Sequence, residues 1–307
     1  MITIFTTAKA FEGETKTRQY NAIGSWKSLH KDIEVILFGS GAGYNEAVSN
    51  YGLLHIPDVE LSEQGTPLVS SMFELASQKG KFTVQTYINC DIILMDDFLS
   101  STLSIQMEKF LMVGQRWEVD VDYRINFEDQ NWSSQLIEIK NRNGILKKPA
   151  AIDYFAFKRG TWGKLPPMVV GRVAYDNWLI YYCRKNGIPV IDATKMVMAI
   201  HQIHDYSHML GGREEVWHGV EAQKNMELAG GFEHIFTIVD SNYRLNKTGM
   251  KKNFCRGNIL RLLESHFIVS DARWSGYALI MVRLVKRCYD TFISICKKLN
   301  LSFQLKL

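Results

Sequence analysis

The sequence predicts an α/β fold: a mostly parallel central sheet flanked by helices, with a basic, largely helical appendage at the C-terminal end. Three observations carry this expectation. Short β-branched and apolar runs alternate with stretches of helical periodicity through the first hundred residues. The 307 residues are 46% hydrophobic and 22% charged, an ordinary globular composition with chain enough for a core that needs no staples. The charge is uneven, because residues 247–307 hold 12 Lys and Arg against 3 Asp and Glu while the whole chain is only +4. Disordered, collagen-like, coiled-coil and multi-span membrane classes are excluded.

Each element has its own signal. Ile2–Thr6 is a β-branched run. Tyr20, Ile23, Trp26 and Leu29 recur at helical spacing within Thr17–Leu29. Ile33–Phe38 is a strand stopped by Gly39, Gly41 and Gly43. Tyr44–Asn50 reads as a short helix closed by Gly52, and Leu53–Ile56 as a short strand. Thr66-Pro67 is expected to open a helix, Thr as cap and Pro in the first turn, with Leu68, Met72, Phe73 and Ala76 as its stripe. Tyr87–Leu94 is a fourth apolar run, expected as one strand.

Beyond it, Phe110–Gly114 and Ala151–Phe157 read as strands, and Gln115–Lys148 as polar and irregular. Ala174–Lys185 is expected as a helix ended by Asn186-Gly187, followed by strands at Ile188–Ile191 and Met196–Ile200. Residues 201–231 show little periodicity and read as a functional loop region. From Trp274 onward, Tyr277, Met281, Leu284, Cys288, Phe292, Ile295 and Leu299 make an amphipathic stripe with Arg and Lys off it. The five cysteines are widely spaced and odd in number, which fits a reducing, cytoplasmic compartment. The opening strand has no basic, apolar leader before it, so no signal peptide is expected.

Five segments carry candidate chemistry. Asn89-Cys90-Asp91 puts a carboxylate inside an apolar run, where an unpaired charge is costly. Asp91 therefore wants a metal, a ribose or a cation; capping a turn or pairing with an Arg are the plain alternatives. His201, His204, Asp205 and His208 fall within eight residues, a spacing able to hold a divalent metal though not that of a structural zinc site. Asp176 lies at the start of a helix, where its plain role is to complement the dipole, and where the first-turn N–H groups are expected to keep its pKa low. Thr6, Thr7 and Lys9 end the first strand, with Arg18 after them, in a place suited to a base, ribose or phosphate. Gln64, in Glu63-Gln64-Gly65-Thr66, stands where a turn can close over a nucleotide. GxxxxGK[ST] and GxGxxG are both absent, and Gly39-Ser40-Gly41-Ala42-Gly43 lacks the dinucleotide fingerprint's spacing.

Together these segments resemble the nucleotide-sugar-dependent glycosyltransferases of the GT-A fold. The resemblance runs from Ile2 to about Asp240. It is carried by Phe5–Lys9, Arg18-Gln19 with Ser25-Trp26, Val35–Gly39, Tyr87–Leu94, Ile152–Phe155, Arg172–Leu179, Gly187–Thr194 and His201–His208. The later blocks look most like bacterial polysaccharide-biosynthesis enzymes. The resemblance implies a GT-A-like domain over residues 1–246, with a nucleotide-binding half at 1–110 and an acceptor half at 111–246, and residues 247–307 as the appendage. It implies Asp91 as ligand of Mn²⁺ or Mg²⁺ at the donor diphosphate, with His201 and His204 as candidates to complete the metal shell. Asn89 departs from the family's pattern, standing where a first carboxylate is expected. Asp176 falls in the order of the general base of an inverting transfer. The implied partners are a UDP- or GDP-sugar and a glycan or lipid-linked acceptor, with no nucleic acid; the basic tail adds a peripheral membrane contact at the inner face or a protein contact. A nucleotidyltransferase is the second enzyme class, though its glycine- and Lys/Arg-rich loop is missing. A sugar-nucleotide-binding protein without catalysis is the third reading, kept by Asn89.

Overall fold

The computed structural model describes residues 1–204, 212–253 and 259–298. The first third runs β1 (Ile2–Thr7), α1 (Gly13–Ser28), β2 (Glu34–Phe38), α2 (Tyr44–Tyr51), β3 (Leu54–Ile56), α3 (Val69–Lys79), β4 (Val84–Ile88), β5 (Ile92–Leu94) and α4 (Asp96–Leu103). The middle runs β6 (Leu111–Val113), β7 (Arg116–Val119), α5 (Trp132–Asn143), β8 (Ile145–Leu146), β9 (Tyr154–Lys158), α6 (Tyr175–Lys185), β10 (Val190–Asp192) and β11 (Ala199–Gln202). Then come α7 (Gly212–His218), α8 (Val220–Ala229), β12 (Tyr243–Asn246), β13 (Gly249–Lys252), α9 (Ile259–Val269) and α10 (Ser275–Lys298).

Nine strands form the main sheet, in the order β13-β12-β10-β6-β9-β4-β1-β2-β3. All run parallel except β9, antiparallel to both neighbours, and the edge strand β13. The expected mostly parallel sheet is therefore present. Both faces are buried, and the residues alternate between them as the pleat requires. Ile4, Val35, Leu37, Ile88, Met112, Tyr154 and Ile191 join the core that includes Ile23 and Trp26 of α1. Phe5, Ile36, Phe38, Tyr87, Leu111, Phe155 and Val190 join the opposite core, with Met72 and Phe73 of α3 and Leu179 and Ile180 of α6. A smaller sheet, ordered β5-β11-β7-β8, has its own core of Ile93, Val119, Ile200 and Leu136 of α5.

Four expectations need correction. Tyr87–Leu94 is not one strand: β4 ends at Ile88 and β5 starts at Ile92 in the other sheet. The Asn89 carbonyl accepts the Ile92 N–H at 3.2 Å, so the chain turns there instead of continuing the ladder. Thr66-Pro67 does not open α3, whose N-cap is Leu68. Pro67 bridges Leu61, and the Thr66 hydroxyl donates to Glu221 at 2.9 Å, so the pair belongs to a strap across the sheet end. Gln115–Lys148 is not irregular but holds β7, α5 and β8. Residues 212–229 form α7 and α8, so the segment read as loop is largely helical; Asp205 and His208 lie outside the described residues. The division expected at 246/247 falls within the β12–β13 hairpin, where Asn246 pairs with Gly249. Gly52 does close α2, in the left-handed region at φ 58° that glycine enters without strain.

α1 joins the two sheets through an unusual buried face. Asn21, Ser25 and Trp26 are fully buried, and each binds main chain that no strand partners. The Ser25 hydroxyl accepts from Leu94 N–H at 3.1 Å, and the Trp26 indole donates to the Ile92 carbonyl at 2.8 Å, so α1 caps the open edge of β5. The Asn21 amide donates to Tyr123 O at 2.9 Å and to the Gln202 side chain at 3.0 Å, and its oxygen accepts Ile125 N–H at 2.9 Å. A leucine there would leave these buried groups unpaired. We expect Asn21→Leu to cost about 2 kcal/mol or more, read as a lower urea midpoint with unchanged slope.

Candidate active site

The carboxyl ends of β1 and β4 lie side by side, because these strands are neighbours in register, Ile4 opposite Thr86 and Phe5 opposite Tyr87. Open α/β sheets bind ligands outside that edge. Three groups of residues meet there.

The first is the turn Asn89–Asp91. The Asn89 N–H donates to the Asp153 carbonyl at 3.0 Å, and its side-chain amide donates to Asp153 Oδ1 at 2.7 Å. Its oxygen accepts from Tyr87 OH at 3.0 Å and Tyr175 OH at 3.4 Å. Both ends of the Asn89 amide are thus engaged in holding the turn. Asp153 in turn binds the Arg116 guanidinium of β7. The turn delivers the chain to β5, whose antiparallel register with β11 sets His201 opposite Ile92. The buried Gln202 amide donates to the Asp91 carbonyl at 3.0 Å and to Arg18 O at 2.9 Å, fixing the backbone on both sides.

The second group is the result of that register. Nε2 of His201 and Nε2 of His204 lie 3.3 and 3.2 Å from Asp91 Oδ2. The ligand atoms of the trio all fall within 4.8 Å of one another. Asp91 Oδ1 and His201 Nδ1 are buried with no hydrogen-bond partner. A carboxylate and two imidazole nitrogens aimed at one point repel each other unless a proton or a cation lies between them, so the donor set fits a divalent ion. Burial pushes the Asp91 carboxyl up, but the imidazoles of His201 and His204 outweigh it and hold the group well below the usual carboxylate range. The expected metal candidates are therefore brought together.

The third group is cationic. Lys9 follows β1, its main chain clamped by the Gln19 side chain through bonds of 2.7 and 3.0 Å. The Tyr44 hydroxyl fixes the preceding Ala8 carbonyl at 2.5 Å. Burial lowers the Lys9 pKa; Asp91 acts against that, and Arg18 and Arg172 add to it, so three cations share the field beside Asp91. Arg18 is paired with Glu14 at 2.6 Å, and Arg172 with the buried Glu221 at 2.8 Å. Glu221 also accepts from the hydroxyls of Ser62 and Thr66, which ties the turn carrying Gln64 to Arg172. Gln64 itself is exposed in that turn. Thr7 faces partly outward, its hydroxyl donating to Phe38 O at 3.1 Å. Thr6 is fully buried and donates to the Ile88 carbonyl at 2.6 Å, so in this structure it holds the end of β4 and presents no group to a ligand.

Asp176 stands in the first turn of α6, behind Ala174, the one non-glycine described residue with positive φ, 84°. A left-handed alanine is strained, and strain of this kind gathers at sites that need a fixed geometry. The expected low pKa is not found. Burial raises the Asp176 carboxyl to about 7; the Asn177 N–H that it accepts at 2.8 Å and the charge of Arg116 lower it, while that of Asp153 raises it further. Desolvation outweighs the helix N-terminus here. Arg116 and Glu221 were not singled out by sequence reasoning. The only trace of Arg116 is its place before an apolar alternation in Arg116–Val119, and Glu221 has none.

The Asn89 clasp depends on the buried Arg116–Asp153 pair, whose side chains are 16% and 7% exposed. Asp153→Ala is expected to cost about 3–5 kcal/mol by stranding the guanidinium, measured by urea unfolding. Replacing both partners, Arg116→Met with Asp153→Leu, is expected to cost less than the single change.

No protein-family model matches the chain, and no curated protein matches it in sequence. Among solved structures it is similar to glucosyl-3-phosphoglycerate synthase from Mycobacterium tuberculosis in complex with Mg²⁺ and uridine diphosphate, at 14% identity over 76% of this chain and 80% of that one, with a TM-score of 0.42. It is similar to a mannosyltransferase from Pyrobaculum calidifontis in complex with GDP-mannose and Mn²⁺, at 12% identity over 67% and 58% of the two chains, TM-score 0.41. A protein from Desulfovibrio desulfuricans described as a putative nucleotide-diphospho-sugar transferase is similar at 12% identity over 75% and 96%, TM-score 0.40.

Proposed function

We propose that this chain is a nucleotide-sugar-dependent glycosyltransferase that moves a sugar from a UDP- or GDP-sugar to a hydroxyl of a glycan or lipid-linked acceptor, with inversion. The observation that carries the reading is the convergence of Asp91, His201 and His204 at the sheet edge, beside Lys9, Arg18 and Arg172. That pairing of an acceptor-rich metal trio with fixed cations matches a diphosphate leaving group with its ion. Mn²⁺ or Mg²⁺ held by the trio would supply charge neutralisation for the leaving diphosphate. With two imidazoles beside a single carboxylate, the donor set suits Mn²⁺ better than Mg²⁺, which takes oxygen ligands.

The chain's own residues do the rest. Lys9 and Arg172 attract the phosphate oxygens, and Gln19 and Glu221 keep them aimed. Asn89 acts here by fixing the Asp91 turn, since both ends of its amide are engaged within the protein. Asp176 takes the proton from the acceptor hydroxyl. A carboxyl titrating at about 7 is well matched to proton transfer near neutrality. The occupied Asn89 amide also favours a second reading, a sugar-nucleotide-binding protein without catalysis. That reading expects nucleotide binding with no turnover of any UDP- or GDP-sugar.

Asp91→Ala is expected to abolish turnover with the melting temperature of the metal-free protein kept; near-normal activity would remove Asp91 from the site. Asp176→Asn is expected to lower kcat by about 10²-fold or more with donor binding unchanged. The base works deprotonated, so kcat should rise with pH through about 7 and level off above it. Stability runs the other way. A raised native pKa means the folded state holds its proton more tightly than the unfolded chain, so this group's contribution is present at acid pH and is lost as pH rises to about 7. Asp176→Asn should flatten both dependences, and product stereochemistry by NMR should show inversion.

A further inference from the structure

α9 and α10 pack on each other, and the inward side of α10 is fastened by charge. Arg283 reaches Glu264 at 3.3 Å and Glu233 at 2.7 Å, and Lys286 reaches Glu264 at 3.1 Å, with Glu264 itself buried. Leu279, Val282 and Ile293 are half-buried and Cys296 is buried, so α10 is apolar on its inward side as well as its outward one. The apolar stripe legible in the sequence does not face the body. Tyr277, Met281 and Leu284 are 77%, 60% and 48% exposed, and Ile280, Val285 and Ile295 beside them are 56%, 50% and 49% exposed. A helix of this length is about 36 Å long at 1.5 Å per residue, so the outward apolar strip is far larger than scattered surface residues make.

We propose that this outward face of α10 is a docking surface for a bilayer containing anionic lipid. Two observations select that occupant. Arg273 and Arg287 are exposed on the same helix side or just before it, and residues 247–307 hold 12 basic against 3 acidic residues. A second copy would bring one +9 segment against another, whereas an anionic interface attracts the exposed Arg273 and Arg287 and accepts the apolar strip between headgroups. Among the described residues no helix is long and apolar enough to cross a membrane, so α10 would lie in the interface plane. The inference does not depend on the transfer chemistry.

Flotation of the full chain with vesicles of phosphatidylcholine alone, or mixed with phosphatidylglycerol, tests it. The full chain should float with the mixed vesicles, bind the neutral ones at least about tenfold more weakly, and be released by salt. Met281→Glu with Leu284→Glu, and separately Arg273→Glu with Arg287→Glu, should each weaken binding about tenfold or more while far-UV circular dichroism is unchanged. These side chains are exposed, so the variants leave the core intact. No flotation, equal flotation on both vesicles, or flotation unchanged by both variants would overturn the proposal. So would a dimer in solution that Met281→Glu with Leu284→Glu dissociates, which would assign the strip to a second copy.

Discussion

The clasp between Asn89 and Asp153 is the contact on which the rest of the site depends. Two hydrogen bonds from one asparagine, at 3.0 and 2.7 Å, hold the end of β4 to the residue before β9, and the Asn89 carbonyl then accepts the Ile92 N–H at 3.2 Å and turns the chain. The chain then leaves the main sheet, and Ile92–Leu94 pair with β11 instead. That change of sheet is what brings a residue at the end of β4 against two histidines more than a hundred residues away. Asparagine suits this place better than a carboxylate would, because its neighbour is Asp153 and two acids would repel there.

The same region shows how buried polar groups can specify an arrangement. Asn21, Ser25, Trp26 and Gln202 are buried and bind main-chain groups that neither sheet ladder satisfies. An apolar α1 would bury as much surface but would leave the edge of β5 and the loop at Tyr123–Ile125 unpaired. Each unmade bond of that kind costs about 1–3 kcal/mol, so few other registers of the two sheets are tolerated. The Arg116–Asp153 pair extends this network from β7 to the turn, and its field reaches both Asp91 and Asp176. Acids and bases therefore share the sheet edge, Lys9, Arg18 and Arg172 near Asp91, and Arg116 near Asp153 and Asp176.

Much of the frame was legible because it is written in local pattern. The alternation of β1 and β2, the helical spacing around Tyr20–Trp26 and the left-handed Gly52 all act over a few residues. The parallel sheet followed from their rhythm. The break after Ile88 was not legible, since apolar residues stand on both sides of Asn89–Asp91 and the side chain that holds the turn, Asp153, lies 64 residues on. The trio of Asp91, His201 and His204 was found by residue type, and the register of β5 with β11 explains why it meets. The pKa of Asp176 was misjudged because the helix N-terminus is visible in sequence while burial and the charge of Asp153 are not. The stripe of α10 was read correctly as a stripe, but periodicity does not say which way it faces; the ion pairs to Glu264 and Glu233 decide that. Glu221 left no trace, as its partners come from two distant segments, the turn Ser62–Thr66 and Arg172.

Under the proposed function Asp91, His201 and His204 hold a divalent ion that a nucleoside diphosphate shares. Electron paramagnetic resonance of Mn²⁺ titrated into the full chain, with and without UDP or GDP, tests it most directly. Mn²⁺ should bind, one of the nucleotides should tighten it, Mn²⁺ should tighten the nucleotide by the same factor, and His204→Ala should weaken both. Nucleotide binding that is indifferent to Mn²⁺, or Mn²⁺ binding untouched by loss of the His204 imidazole, would contradict it.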